Sequence, residues 1–231
     1  MKKNYRIVSV ITARANSKRL PKKNRFKFQN QIMTEWSVKA SLQSKLIHET
    51  ILSTDDSYLI KNLRKYPIKI HHRKKKHADD YSDTFSVLKD VYYNFLNRNA
   101  DIIVLLQPTS PLREKNLLDK NLSDFIKKKN LSSMIELCEI KSPHGFIKNG
   151  YFKSTTRFKR SQDLSKSFIC SGRLYFYRYK KTIEKNHDLG KTSKPIFANF
   201  DENINIDYQE DIKKLEMVYK FHKNKFKHLL K

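Results

Sequence analysis

Glycine is scarce in this chain, and its scarcity excludes the common nucleotide-binding loops. Four glycines, at positions 145, 150, 172 and 190, are present among 231 residues. They permit neither GxxxxGK nor GxGxxG, so the sequence contains no P-loop and no dinucleotide fingerprint. If the protein binds a nucleotide, cationic side chains must hold the phosphates in place of a glycine-rich loop.

Cysteines and long apolar segments are also few. Cys138 and Cys170 are isolated and lack CxxC spacing, which disfavours a disulfide framework or a zinc site. The longest aliphatic run, Ile102–Leu106, is too short to span a bilayer. The start, MKKNYRIV, contains neither the apolar segment nor the cleavage site of a signal peptide. We therefore expect a cytoplasmic protein without a membrane span.

Acidic residues are outnumbered by basic ones. There are 49 Lys and Arg against 23 Asp and Glu, a net charge of +26. A basic surplus is typical of proteins that bind nucleic acid. Here, however, lysine far exceeds arginine and is spread from end to end, as biased residue usage would produce. RNA binding therefore stays an alternative and is not the main interpretation.

Strand and helix patterns alternate along the first part of the chain. This alternation predicts an α/β fold, with a three-layer, Rossmann-like, mostly parallel sheet and helices on both sides. The predicted strands are Ile7–Ile11, Thr50–Ser53, Ile68–His71, Asp101–Leu106 and Ser133–Leu137. The predicted helices are one capped by Thr34, then Ser57–Lys65, one from Thr84 to Phe95, Glu114–Lys129, and Asp207 to about Leu230.

Residues 141–194 depart from this alternation. They contain Pro143, all four glycines, many Lys and Ser, and the aromatic segments Tyr151–Phe152 and Leu174–Tyr179. We expect an inserted arm within a single domain of residues 1–231, followed by short strands at Ile196–Phe200 and Ile204–Ile206 that return to the sheet.

A cationic loop follows the first predicted strand, in the stretch VITARANSKRLPKKN from Val10 to Asn24. The loop carries Arg14, Lys18, Arg19, Lys22 and Lys23 and contains no acid. Ligands of open α/β sheets lie beyond the carboxyl ends of the strands, so the loop predicts a polyanion site. Asn16 and Ser17 suit a tight turn that presents backbone N–H groups. A merely solvated basic loop is the alternative.

Polar loops follow other strands as well. In Gln107–Arg113, Pro108 and Pro111 stiffen the backbone, so we expect a fixed polar cluster at the sheet edge. Asp207 directly follows a predicted strand and suits Mg²⁺, which prefers one or two carboxylates together with phosphates and water. The histidines at positions 71, 72 and 77 are predicted to lie in a solvated loop, and no Ser/His/Asp or Cys/His arrangement is predicted.

Five motifs at these positions resemble the acylneuraminate cytidylyltransferase family, which comprises the CMP-sialic acid synthetases and relatives that act on legionaminic and pseudaminic acids. ARANSKRLPKKN is similar to the family's ARxNSKxLPxKN, STDD to its STD element, and SDTFS to SDTxS. LLQPTSPLR matches the most distinctive family segment almost letter for letter, and NIDYQED is similar to the closing IDxxxD. The motifs follow the family's order.

The resemblance implies a nucleotidyltransferase fold with a dimerisation arm, and hence a homodimer. It also implies transfer of CMP from CTP to a nonulosonic acid, with release of pyrophosphate, with Mg²⁺ and for surface glycan biosynthesis. By position it places Arg14, Ser17 and Lys23 on the CTP phosphates, and Asn24, Arg73 and Ser86 on the cytidine. The resemblance also places Lys18 among the substrate-binding residues, Gln107 on the sugar and Asp207 on the metal. Lys23, Arg14 and Asp207 would be the catalytic residues.

Three positions depart from the family pattern. Arg19 stands where glycine is common. The segment Ile169–Gly172, ICSG, stands where the sialate enzymes have a segment similar to RPNG. Asn205 stands where the metal motif usually has its first Asp; its carbonyl oxygen remains a candidate metal ligand without charge. Two alternatives to the enzyme therefore stay open: a catalytically weakened homologue that only binds nucleotide, and a basic RNA-binding protein.

Overall fold

The computed structural model describes residues 5–74, 77, 83–140, 142–155, 160, 163, 165–199 and 204–230. Its strands are β1 Ile7–Thr12, β2 Lys27–Phe28, β3 Gln31–Ile32, β4 Glu49–Thr54, β5 Lys69–His72, β6 Ile102–Leu106, β7 Ser133–Ile140, β8 Gly145–Lys148, β9 Tyr151–Ser154, β10 Ser167–Arg178 and β11 Ser193–Ala198. Its α-helices are α1 Met33–Leu42, α2 Ser57–Leu63, α3 Thr84–Asp90, α4 Leu117–Lys127 and α5 Gln209–Phe226. A π-helical turn, Val91–Phe95, extends α3, and Lys227–Leu230 closes the described chain as a 3₁₀ turn.

Seven strands form the central sheet in the order β11-β7-β10-β6-β1-β4-β5. All neighbours in it pair in parallel except β10, which runs antiparallel to both β6 and β7. The expected mostly parallel α/β sheet is therefore confirmed. No helix in the described part of the chain has the length and apolar character needed to cross a membrane.

Alternate residues of β1 supply two separate hydrophobic cores. Ile7 and Ile11 belong to the core that contains Trp36, whereas Val8 and Val10 belong to the core on the opposite face. Successive side chains of a strand point to opposite faces, so a strand covered on both sides is apolar at nearly every position. This is why the sequence revealed β1 and β6 so clearly.

Several predicted boundaries were wrong. Thr34 does not cap α1 but lies within it, where its hydroxyl donates to the Asn24 carbonyl oxygen at 2.8 Å. The helix predicted over Glu114–Lys129 is confined to α4. The segment Ile204–Ile206 is not a strand, although the Ile206 amide donates to the Thr109 carbonyl at 2.8 Å. That bond fixes the chain before α5 against the loop after β6.

The segment 141–194 is only partly peripheral. The prediction that the aromatic stretch Leu174–Tyr179 lies in an arm outside the sheet was wrong, because β10 passes between β6 and β7 and buries Phe176 and Tyr177. The part that stands apart is the β8–β9 hairpin, all of whose strand residues are exposed. Lys141 and residues 156–159 lie outside the described residues.

Candidate nucleotide-transfer site

A cleft of about 350 Å³ opens beyond the carboxyl ends of β1, β5 and β6. Of the candidates predicted from the sequence, it is lined by Arg14, Lys23, Asn24, Arg73, Gln107, Asn205 and Asp207. Arg19, His77, Asp83, Thr84 and Thr109 also line it. Residues separated by nearly the whole chain thus meet where parallel sheets bind their ligands.

The loop after β1 is held at both ends by hydrogen bonds. The Ala15 amide donates to Asp55 Oδ1 at 2.8 Å. Asp55 of the STDD element therefore anchors the start of the basic loop. Buried Asn24 donates from Nδ2 to the Arg14 carbonyl oxygen at 2.9 Å, which ties the end of the loop to its start. This closure brings Arg14 and Lys23 to the same cleft.

Asp207 is neutralised by two cations from that loop. Its Oδ1 lies 2.7 Å from Lys23 Nζ and 2.9 Å from an Arg19 guanidinium nitrogen, and its Oδ2 accepts from Asn205 Nδ2 at 3.4 Å. Arg19 also lies over the Tyr208 ring, and its hydrogen bond to Tyr208 and the charge of Asp207 raise its pKa. Arg19 was predicted as one of the five cations of the polyanion loop, but its contact with Asp207 was not predicted.

Arg73 brings a half-buried positive charge to the cleft. One terminal nitrogen donates to the Ser53 carbonyl at 3.0 Å, while its buried Nε finds no hydrogen-bond partner among the described residues. Burial lowers the Arg73 pKa to about 10, with nearby Asp55 acting against this and Arg14 adding to it. A half-buried cation beside a second cation is stabilised by a bound anion, and phosphate is such an anion.

The loop after β6 is built on a buried arginine. Arg113 donates to the carbonyl oxygens of Gln107 at 3.1 Å and Arg173 at 3.0 Å, and to Ser37 Oγ at 3.0 Å. Complete burial lowers the Arg113 pKa to about 9. The expected polar cluster therefore divides: Ser110 and Arg113 are internal supports, whereas Gln107 and Thr109 line the cleft.

Three candidates from the sequence do not line the cleft. The Ser86 hydroxyl donates to the Asp83 carbonyl at 2.8 Å and its amide to the Asp83 side chain, so this serine belongs to the cap of α3. Ser17 is half-buried and Lys18 is exposed on the basic loop, and neither contributes to the lining. Their roles rest on the family resemblance alone.

The prediction of a solvated histidine loop was wrong for His71. This residue is 6% exposed, with Nδ1 3.0 Å from Ser53 Oγ and Nε2 3.1 Å from Asp90 Oδ2. Ser53, His71 and Asp90 thus form a buried row of hydrogen-bonded side chains that the sequence did not predict. Because Ser53 is itself fully buried, the row offers no accessible nucleophile.

The described residues contain no group of three or more His, Cys, Asp or Glu side chains arranged to hold a metal ion. Asp207 offers one carboxylate, and Asn205 beside it offers an amide oxygen. This donor set fits Mg²⁺ only where phosphate oxygens and water complete the shell.

Known proteins resemble this chain over most of its length. The family model described as Cytidylyltransferase matches residues 8–230. The chain is 28% identical over 221 residues to a pseudaminic acid cytidylyltransferase of Campylobacter jejuni, covering 91% of this chain and 95% of the relative. It is 27% identical over 216 residues to a CMP-N,N'-diacetyllegionaminic acid synthase of Legionella pneumophila, covering 87% of this chain and 91% of the relative.

A solved structure supports the fold. A CMP:2-keto-3-deoxy-manno-octonic acid synthetase complexed with CTP superposes with a TM-score of 0.68 at 16% identity. The match covers 94% of this chain and 99% of that one. At this identity the likeness concerns the α/β fold alone.

Proposed function

Because this chain belongs to the cytidylyltransferase family, we propose that it transfers CMP from CTP to a nonulosonic acid and releases pyrophosphate. One observation carries the proposal: Arg14, Lys23 and Arg73 converge on a single cleft at the carboxyl edge of the sheet. Three cations placed there suit a triphosphate, and the relatives named for pseudaminic and legionaminic acids indicate the acceptor class.

In the proposed reaction, the anomeric hydroxyl of the sugar acid attacks the α-phosphorus of CTP in line, and pyrophosphate leaves. Negative charge grows on the phosphoryl oxygens, and donors that contact them in the complex with CTP stabilise it. Lys23 and Arg14 supply these donors. Lys23 is 15% exposed at its side chain, so water screens it little.

The remaining contacts divide between nucleotide and acceptor. We assign Asn24 and Arg73 to the nucleotide and Gln107, at the β6 end of the cleft, to the sugar acid. The proposed substrate contacts also include three residues outside the lining of the cleft, namely Ser17, Lys18 and Ser86. They would contact the parts of the bound nucleotide that extend beyond the cleft.

Asp207 and the amide oxygen of Asn205 would hold Mg²⁺ together with the CTP phosphates. The ion would neutralise phosphate charge. In the structure, Lys23 and Arg19 already neutralise Asp207, so these cations and a metal compete for one carboxylate. Lys23 can therefore move from Asp207 to phosphate as nucleotide and metal bind.

We further propose a cytoplasmic homodimer whose product feeds surface glycan synthesis. The β8–β9 hairpin exposes Phe146, Ile147, Tyr151 and Phe152. Phe168 on β10 and Phe197 on β11 are exposed as well, and their tilted rings contact each other with centroids 5.4 Å apart. Exposed apolar surface of this extent marks an interaction site. A second copy of the chain is the proposed partner.

The decisive experiment measures pyrophosphate release from CTP with a panel of pseudaminic, legionaminic and neuraminic acids. Turnover with one of them supports the proposal. CTP binding without turnover for any acid would favour the weakened homologue. Asn205, which stands where the family usually has Asp, is the sequence feature that points to this alternative. Salt-steep affinity for RNA without CTP binding would favour the third alternative.

A further inference from the structure

The loop that carries Gln107 rests on an irregular part of β10. The register of β10 against β7 shifts between Cys170 and Tyr175. Residues 171–174, here called the β10 bulge, are all buried. Such irregularities redirect a strand next to functional sites, and here the strand turns toward the loop after β6.

Polar contacts fix the β10 bulge against this loop. Ser110 Oγ donates to the Ser171 carbonyl at 3.0 Å, and Arg113 Nε donates to the Arg173 carbonyl at 3.0 Å. The Arg173 guanidinium lies 2.7 Å from Glu114 Oε2. Since buried polar groups are costly to leave unpaired, these contacts hold the loop and the bulge in one arrangement.

Gly172 occupies the contact point between the two. Its φ is +79°, a conformation that favours glycine. A Cβ atom built on it would lie 2.8 Å from Gln107 Oε1 and 2.5 Å from Ser110 Oγ. The Gln107 amide therefore rests directly against the backbone of Gly172, and any side chain there would displace it.

We infer that Gly172 is a positioning residue that determines where the Gln107 amide lies in the cleft. The consequence for the acceptor rests on the proposed function, because it requires that Gln107 contacts the sugar acid. A misplaced amide loses its hydrogen bonds to the acceptor, while the cations around the nucleotide, which belong to other loops, keep their positions.

The test compares Gly172→Ala with Gly150→Ala. Gly150 has nearly the same φ, +80°, but among the described residues nothing lies within 4 Å of its Cβ position, so this variant carries the backbone strain without the collision. In ¹⁵N-labelled protein, the side-chain amide signal of Gln107 is identified by its loss in Gln107→Ala. We expect Gly172→Ala to shift that signal and Gly150→Ala to leave it in place.

Kinetics give the second measurement. Gly172→Ala should raise KM for the sugar acid about tenfold to a hundredfold, with little change in KM for CTP. In a Gln107→Ala/Ser110→Ala background, the same substitution should raise it no further, because both side-chain oxygens that its Cβ would meet are gone. Additive effects, or an unmoved Gln107 signal, would overturn the inference.

A second variant covers the case in which Gly172→Ala does not fold. Gly172→Ala/Ser110→Ala removes the shorter collision and keeps the one with Gln107, and the same signal shift is expected. A wild-type protein that turns over no sugar acid would refute the proposed function instead. The amide signal would still report whether Gly172 sets the position of Gln107.

Discussion

Lys23 Nζ lies 2.7 Å from Asp207 Oδ1, although 184 positions separate the two residues in the chain. The pair joins the first loop of the sheet to the segment before α5. Both residues line the cleft, and the contact fixes the Lys23 ammonium there, where the proposed function places the nucleotide phosphates.

Lys23→Ala should lower kcat about tenfold to a thousandfold, because it removes a donor whose effect grows as charge develops on the phosphoryl oxygens. Steady-state kinetics at saturating CTP and acceptor measure this. Lys27→Ala, at an exposed lysine of β2, is the matched control and should keep wild-type turnover. Unchanged kcat in the Lys23 variant would remove this residue from the reaction.

Asn205→Asp should lower the Mg²⁺ concentration needed for half-maximal activity and leave kcat equal or higher. The substitution adds a second carboxylate. The hydrogen bond that Asn205 Nδ2 donates to Asp207 Oδ2 is replaced by repulsion between two acids, which a bound cation relieves. Titration of Mg²⁺ at saturating substrates measures the change.

Asp207→Asn is the complementary control for this titration, since it removes the only carboxylate of the pair and should raise the Mg²⁺ requirement. If Asn205→Asp leaves the Mg²⁺ curve where it was, Asn205 lies outside the metal shell.

The sequence predicted the cleft because each strand and the polar loop after it are recognisable from a short stretch of residues. Runs that are apolar at nearly every position identified β1 and β6, and polar residues such as Arg14 and Gln107 follow soon after those strands. Carboxyl ends of parallel strands meet at one edge of a sheet, so residues distant in the chain were expected together.

Other features depended on pairing that no local pattern encodes. The place of β10 between β6 and β7 is a property of strand order, and the aromatic residues of β10 look the same in an arm or a sheet. His71 is buried because Asp90, on α3, accepts from its ring. Arg19 reaches the cleft through Asp207, whose position depends on the whole fold.

Replacing Phe146 and Phe152 together by Glu should convert the proposed homodimer to monomers. Both rings are 53% exposed on the β8–β9 hairpin, and stable interfaces bury on the order of 1,000 Å² or more, for which these rings provide the apolar centre. Light scattering should give twice 27.6 kDa for the wild type and 27.6 kDa for the variant.

Phe221→Glu is the control for surface charge, because this ring is 78% exposed on α5, away from the hairpin in the sequence. It should remain a dimer. A wild-type chain that is monomeric and fully active at nanomolar concentration would contradict the proposal.

The buried His71 should make the protein less stable in mild acid. Burial lowers its pKa, the charges of Arg73 and Lys74 lower it further, and Asp90 opposes them. The folded protein therefore keeps His71 neutral at a pH where the unfolded chain, with an ordinary histidine pKa of about 6.5, is already taking up a proton. Stability is then fully present above pH ~6.5 and falls as pH drops toward the lower pKa of the folded state, by at most about 1.4 kcal/mol per pH unit from this group.

Asp90 contributes to the pH dependence of stability in a separate and more acidic pH range. Burial alone would raise its pKa, but hydrogen bonds from Asn94 and Lys74 and the nearby His71 lower it, so its stabilisation is present above the ordinary carboxyl pKa of about 3.9 and is lost below it. His77, 4.0 Å from Asp90, also faces this group. Measurements between pH 5 and pH 7.5 therefore separate histidine titration from that of Asp90. Burial also lowers the pKa of His228, so only the comparison with a His71 variant assigns the effect to His71.

Urea unfolding of His71→Asn across this range is the test. The variant should be less stable than the wild type at pH 7.5, because it loses the buried ring, but its stability should depend less on pH below 6.5. His72→Asn, at the exposed neighbouring histidine, should follow the wild-type curve. Parallel curves for the wild type and His71→Asn would show that His71 takes up its proton equally in the folded and unfolded states, contrary to its burial against Ser53 and Asp90.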